Sequence, residues 1–439
     1  MRQTDAVIVG AGQAGLAMSH CLSRLGIDHI VLERGRVAER WRSERWDSLR
    51  LLTPNWMTQL PGWPYRGTDP DGFMTAAEVV EFLEQYASAF AAPVVAGATV
   101  QSVRRVLGGY RIESDHGVWH AQCVVIATGH CDVPFVPNMA RYLPASIHQL
   151  TPTAYRNPSA LPGGGVLVIG ASASGVQLAD EIQRSGRQVT IAVSRHTRLP
   201  RLYRGRDIMW WLDRYPILEA AITAAELGAA RLHPSMQLVG RPERTDLDLA
   251  VLRNIGVRLI GRVASIEGNV LQVNSNLADA VAGSHGRMER LLKRIDIFAD
   301  AIGATDQVWP AGFSLDPSPT TLNLTANNIK TVIWATGFVR NYRWLHVPVI
   351  DSSGEIIHTG GVTPSRGLYV IGLRFLRRRD ASFIGAVRGD ANELATDIQL
   401  YLNATPASQP SRRKKICSLT KPMTCLSSGR AVPALLRRC

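Results

Sequence analysis

The chain has 439 residues, of which 46% are hydrophobic and 19% charged, a balance that buries a substantial core and excludes global disorder. No apolar run reaches the roughly 18–20 residues that a membrane-spanning helix needs. The formal charge of +13 is uneven: residues 403–439 hold eight Lys or Arg and no acid, leaving +5 for the rest, so the charge does not argue for nucleic acid.

The N-terminus carries Asp5 and enters a strand pattern at once, so it does not read as a leader, and a cytoplasmic location is expected. The first element is a β-branched run, Ala6–Val9. It is followed by the glycine turn GAGQAG at 10–15, an apolar-periodic helix from Ala14 to Arg24 stopped by Gly26, and a second strand, Ile30–Leu32. A similar unit recurs downstream: strand Val166–Ile169, turn GASASG at 170–175, helix Ser174–Arg184 stopped by Gly186, strand Val189–Val193. Two βαβ units in one chain imply two nucleotide folds.

Two buried runs end in the same three small residues. One ends in Ala127, Thr128 and Gly129, the other in Ala335, Thr336 and Gly337; in both, backbone has to come close to something. Helical patterning lies between them, near 217–231 and 279–303. The expected class is α/β with two Rossmann-like domains: a first domain in two pieces, 1–158 and 338–402, interrupted by a second at 159–337. A flexible basic tail, 403–439, follows. Cys417, Cys425 and Cys439 fall in that tail, while Cys21, Cys123 and Cys131 are scattered through core elements. No CxxC or metal-ligand spacing occurs, so no metal site is expected and the cysteines read as buried thiols of a reducing compartment.

The glycine turns suggest their ligands. A helix N-terminus offers free N–H groups and a positive dipole end to a pyrophosphate. In the first turn Gly10 makes the bend, Gly12 lets phosphate approach and Gly15 lets the helix pack on its strand. Glu33 follows 18 residues after Gly15, where a carboxylate accepts the hydroxyls of an adenosine ribose and repels a 2′-phosphate; this site suits FAD or NAD. In the second turn Gly170 and Gly175 are kept, and Ser172 takes the middle place, small and able to donate to phosphate. No acid ends the following strand. Ser194 and Arg195 stand there, with His196 and Arg198 just after, and a guanidinium pair is what a 2′-phosphate requires. The second site therefore reads as NADPH-binding, against the alternative that Arg195 and Arg198 are a solvated basic edge. Two unlike dinucleotides imply hydride transfer from NADPH to FAD.

The combination of GAGQAG, Glu33-Arg34, RWDSLRLLTPNWMTQLPG (45–62), both ATG marks, GASASG, RHTRLPRLYRGRD (195–207) and FIGAVRGDANELA (383–395) resembles the flavin-containing monooxygenase-like superfamily, in particular its bacterial CzcO-like flavoproteins. The resemblance covers about 1–400. It implies that Arg34 binds the cofactor, that Trp41 and the segment from Leu49 to Thr53 lie against the flavin, and that Ser382, Phe383 and Ile384 bring a last helix N-terminus toward its pyrimidine end. It also implies a small nucleophilic or carbonyl substrate that receives one oxygen atom from O2 by way of a C4a-hydroperoxyflavin. Arg204, Arg206 and Asp207 are polar candidates near the nicotinamide, with a surface salt-bridge cluster as the alternative.

Two departures bear on that activity. Of the FxGxxxHxxxY pattern only Tyr155 is present, with Ala145, Ile147 and Thr151 at the Phe, Gly and His places. Leu52 stands where monooxygenases carry an Asn, with Asn55 three residues on. Other readings therefore stay open: NADPH oxidation or electron donation without oxygenation, a non-catalytic flavoprotein accessory to ion or metal handling whose basic tail touches an anionic membrane, and disulfide reduction, for which the spacing of Cys123 and Cys131 is poor.

Overall fold

A computed structural model of the chain describes residues 2–215, 228, 230 and 233–404. The helix expected near 217–231 lies almost wholly outside the described residues, and so does the tail from residue 405 on.

The first sheet begins with β1 (Arg2–Val9), whose last four residues are buried, as expected of a parallel strand covered on both faces. It leads through the glycine turn into α1 (Gln13–Arg24) and then β2 (His29–Glu33). The helix ends where Gly26 takes a left-handed φ of 69°. After α2 (Glu39–Ser43) comes α3 (Ala76–Ala89), opened by a capping box in which Thr75 Oγ1 accepts from the Glu78 N–H and the Glu78 carboxylate accepts from the Thr75 N–H. Strands β3 (Val94–Ala96), β4 (Val100–Val106), β5 (Gly109–Ser114) and β6 (Gly117–Ile126) follow.

The second sheet takes β7 (His148–Leu150), β8 (Gly165–Ile169), β9 (Val189–Ala192), β10 (Arg258–Ile260) and β11 (Ile329–Trp334). The helices of this stretch include α4 (Ala173–Arg184), α5 (Ile208–Arg214), α6 (Leu249–Asn254) and the 25-residue α7 (Leu277–Ala301). The chain then returns to the first sheet with β12 (Leu345–His346) and β13 (Leu368–Val370) and ends its described part in α8 (Val387–Ala404).

The first sheet has eight strands, ordered β12-β4-β5-β6-β1-β2-β3, with β13 also on β6. Pairings of β1 with β2 and β6, of β2 with β3 and of β13 with β6 are parallel. The second sheet, β7-β11-β8-β9-β10, is parallel throughout. Its strands are nested in sequence between those of the first. Its edge strand starts at His148, upstream of the break expected at 158/159. The two sheets repeat one plan: β8 lies between β9 and β11 as β1 lies between β2 and β6. In each, the glycine turn leaves the carboxyl end of the central strand, where open α/β sheets bind their ligands.

Candidate active site

Each turn is built on the same backbone contact. Gly10 has φ 109°, and a Cβ there would sit 2.7 Å from the Ala127 carbonyl oxygen; Gly170 has φ 112°, and its Cβ would sit 2.3 Å from the Ala335 oxygen. The alanine of each ATG mark is thus the neighbour that the sequence required to come close. Gly15 and Gly175 are equally constrained, since a Cβ would lie 1.9 Å and 1.8 Å from the carbonyl oxygens of Gly10 and Gly170. The middle positions differ in kind. A Cβ on Gly12 meets nothing within 4 Å, so the turn there faces open space. Gly12 and Ser172 share nearly one conformation, φ −80°, ψ −175° and φ −83°, ψ −172°, and neither helix has a side-chain cap. The first-turn N–H groups of α1 and α4 therefore remain available to an outside acceptor.

A cavity of about 770 Å³ opens at the first turn. Gly10, Gly12, Glu33, Arg34, Trp41, Leu49, Thr53, Ala127, Thr128, Gly129, Ser382 and Ile384 all line it. Gly15 is buried behind it. The Glu33 carboxylate accepts from Ala11 N–H at 2.7 Å and Gly35 N–H at 2.9 Å, which fixes the turn while the residue still faces the cavity. Arg34 stands 3.7 Å from Glu44. The Arg45 guanidinium lies 5.1 Å from the centre of the Trp41 ring. The far wall is apolar, with Leu52, Leu199, Met209, Leu212, Leu291 and Phe383.

The other predicted residues are not on this cavity. Gly170, Ser172, Gly175, Ala335, Thr336 and Gly337 form the separate second turn, where the Thr336 hydroxyl donates to the Phe135 carbonyl. Ser194 is half-buried and Arg195 exposed at the end of β9.

Arg198 does not join Arg195. It is buried, donating from Nε to Asp248 at 2.6 Å and from Nη1 to the Ala311 carbonyl at 2.9 Å, with His285 Nδ1 3.0 Å away. Asp248 in turn caps α6 by accepting from Val251 N–H. A buried guanidinium needs a carboxylate, and this one has found it, so Arg198 is a structural ion pair.

The polar candidates Arg204, Arg206 and Asp207 also stand elsewhere. Arg204 pairs with Asp296, Asp300 and Asp306; Arg206 lies over Trp210; Asp207 pairs with Arg201 and caps α5. Asn55 does not substitute for the missing amide at Leu52. It is buried and committed, donating to the Asp69 carbonyl at 2.9 Å and accepting from Met74 N–H at 2.8 Å. Tyr155 is buried and donates to Glu181 at 3.2 Å.

Four cavity residues had no signal strong enough to mark them in the sequence: Arg45, His130, Cys131 and Arg374. Burial, then the charges of Arg374, Arg340 and Arg45, push His130 down to about 3, so it is neutral at physiological pH. Burial raises the Cys131 thiol despite four nearby arginines and lifts Cys123, deep in β6, to about 12. Both stay protonated, and only Cys131 lines the cavity, so the thiolate pair of a disulfide reductase is missing among the described residues.

A protein from Geobacillus kaustophilus described as an uncharacterized CzcO-like oxidoreductase is 32% identical over 397 residues, 90% of this chain and 98% of its own. The chain belongs to the CzcO-like oxidoreductases. The pyridine nucleotide-disulphide oxidoreductase family matches residues 7–212. The rice indole-3-pyruvate monooxygenase YUCCA1 is 31% identical over 237 residues, 51% of this chain and 57% of that protein. In fold, the flavin-containing monooxygenase of Stenotrophomonas maltophilia matches with a TM-score of 0.64 at 19% identity, covering 92% of this chain and all of that one. This CzcO-like chain is accordingly an oxidoreductase, and it shares the fold of a flavin-containing monooxygenase.

Proposed function

We propose that this CzcO-like oxidoreductase holds FAD on the piece formed by residues 1–158 and 338–402. NADPH binds the piece at 159–337, and the enzyme transfers one oxygen atom from O2 to a small nucleophilic or carbonyl substrate. The observation that carries the reading is the duplicated turn with opposite charge at the end of the following strand: the Glu33 carboxylate in one copy, and in the other Arg195, which makes no ion pair among the described residues. The residues fit an adenine dinucleotide at the first turn. The space in front of Gly12 is one that a side chain would invade, the N–H groups of α1 are uncapped, and Glu33 is held by Ala11 and Gly35 with its remaining lone pairs available to ribose hydroxyls.

A flavin bound there would supply the redox chemistry, carrying electrons from the nicotinamide to dioxygen. The chain's own residues supply the surroundings. Leu49, Leu51, Leu52 and Phe383 exclude water from the cavity, and Trp41 gives a flat apolar wall. Neutral His130 exchanges a hydrogen bond without adding a charge, while Arg45 and Arg374 offer positive charge to a bound anion. Ser382 and Ile384 place the approach to α8 at the same wall. The monooxygenases among the relatives support oxygen insertion.

Leu52, in the place of an amide, favours a second reading, in which reduced cofactor discharges to O2 with no substrate oxygenated. One measurement separates them: the ratio of NADPH consumed to hydrogen peroxide released in air, with and without candidate sulfide, amine and ketone acceptors. Oxygenation predicts that an acceptor lowers peroxide well below one per NADPH. Stoichiometric peroxide with every acceptor establishes the oxidase reading, and a purified protein that takes up no flavin removes both.

A further inference from the structure

Removing Arg198 from the coenzyme site leaves Arg195 as a single exposed cation, which is a weak basis for choosing a phosphate. The structure supplies others from a distant part of the chain. Arg287, on α7, donates from Nη2 to the His196 carbonyl at 2.7 Å, which pins its guanidinium beside the residue that follows Arg195. It is half-buried and makes no ion pair among the described residues. One turn along the same helix, Arg290 is exposed and also without an ion pair among the described residues. Each guanidinium folds back along the helix beside a glycine: a Cβ added to Gly283 would lie 3.5 Å from Arg287 Nη1 and one added to Gly286 3.6 Å from Arg290 Nη1, ordinary contact distances.

The electrostatics agree with an anion site. Burial and then the charges of Arg195 and Arg290 push the Arg287 guanidinium below its ordinary range. Across from it, His233 is held below its ordinary range by burial and by Arg195, Arg379, Arg287 and Arg374. Like charges gathered without acids raise one another's energy until an anion joins them. Next to the strand end where a ribose sits, that anion has the character of a sugar phosphate.

We infer that Arg287, with Arg290 beside it, completes with Arg195 the subsite for the coenzyme's ribose 2′-phosphate. Selectivity for NADPH is thereby shared between the end of β9 and α7. This rests on the reading that the second turn binds NADPH. A guanidinium contacts phosphate through two parallel N–H donors, which a lysine cannot reproduce.

The test uses adenosine 2′,5′-bisphosphate and AMP, which differ by the one phosphate, bound to the full-length protein and followed by calorimetry. The native protein should prefer the bisphosphate at least tenfold. Arg287→Ala should cut that preference about tenfold while leaving AMP affinity unchanged, since a charge-assisted bond contributes on that order. Arg290→Ala should cut it less, and Arg287→Lys should recover part of it. The KM for NADPH should rise in parallel while that for NADH stays put. A native protein that prefers the bisphosphate, with the preference intact in Arg287→Ala, would overturn the inference and leave the NADPH reading standing. Equal weakening toward both nucleotides would mean that Arg287 only tacks α7 to the loop, and would also overturn it. A native protein indifferent to the extra phosphate would overturn the NADPH reading and the inference with it.

Discussion

Three glycines of one turn do three different jobs, and the jobs can be separated by substitution. Gly15 has no room for a Cβ, because the Gly10 carbonyl oxygen would be 1.9 Å from it. Gly15→Ala forces α1 off its strand, a disturbance that costs at least about 1–3 kcal/mol. Gly12 faces open space and has an extended backbone that any residue adopts. Gly12→Ala should therefore melt at the same temperature as the native protein when both are free of flavin, yet take up much less flavin, because its methyl group takes the space kept for pyrophosphate. Flavin content per folded chain, read from absorbance beside a thermal melt, distinguishes the two. Full flavin occupancy in Gly12→Ala would show that the turn is only a packing device. At this scale the sequence was most legible where backbone geometry is local. Gly10, Gly15 and Glu33 stand in the relation their spacing implied. Arg198 was misread because its partner Asp248 is remote in sequence, and no local pattern distinguishes a free arginine from a paired one.

Among the elements, the βαβ units were readable because a glycine turn and two buried strands lie within about thirty residues. The long helix expected at 279–303 is α7 at Leu277–Ala301. The short edge strand β7 was not readable, since three residues hold no periodicity and its pairing with β11 spans the whole intervening segment. Nor did pattern show that α8 begins over a buried carboxyl. Asp390 is 1% exposed, neither of its oxygens accepts a hydrogen bond among the described residues, and the Arg377 Nε stands 3.6 Å away. Burial lifts it to about 7 against the pull of Arg377 and Arg378. Because the folded value lies above the unfolded one, the folded state holds this proton longer than the unfolded chain does. Its stability contribution is complete below about pH 4 and is lost as pH rises through 7. Asp390→Asn cannot ionise. Its melting curve relative to the native protein should shift upward progressively between pH 4 and pH 8, by an amount on the order of a few kcal/mol at the alkaline end. Parallel pH profiles for the two proteins would show that Asp390 is solvated or paired in solution.

For the molecule as a whole, the proposed function makes the duplication two sites with opposite charge preferences on one chain. A ligand that binds only the folded state stabilises it by RT ln(1 + [L]/Kd), about 2.7 kcal/mol at a hundred times Kd. FAD added to flavin-free protein should raise its melting temperature through the Gly12 turn. Adenosine 2′,5′-bisphosphate should raise it through the Ser172 turn, and saturating amounts of both should give the sum of the two shifts. Gly12→Ala should abolish the first increment and keep the second; Arg195→Ala should do the reverse. The acid at Glu33 and the cations around Arg195 also predict that the increments do not exchange, with the bisphosphate giving no further shift through the Gly12 turn however high its concentration. If instead the two ligands compete, so that the second adds nothing after the first, both are occupying one dinucleotide site and the repeated turn has another purpose. The additive outcome requires that each turn keep its own adenine nucleotide, which is the arrangement that would let the nicotinamide coenzyme leave once it has given up its hydride while the other stays.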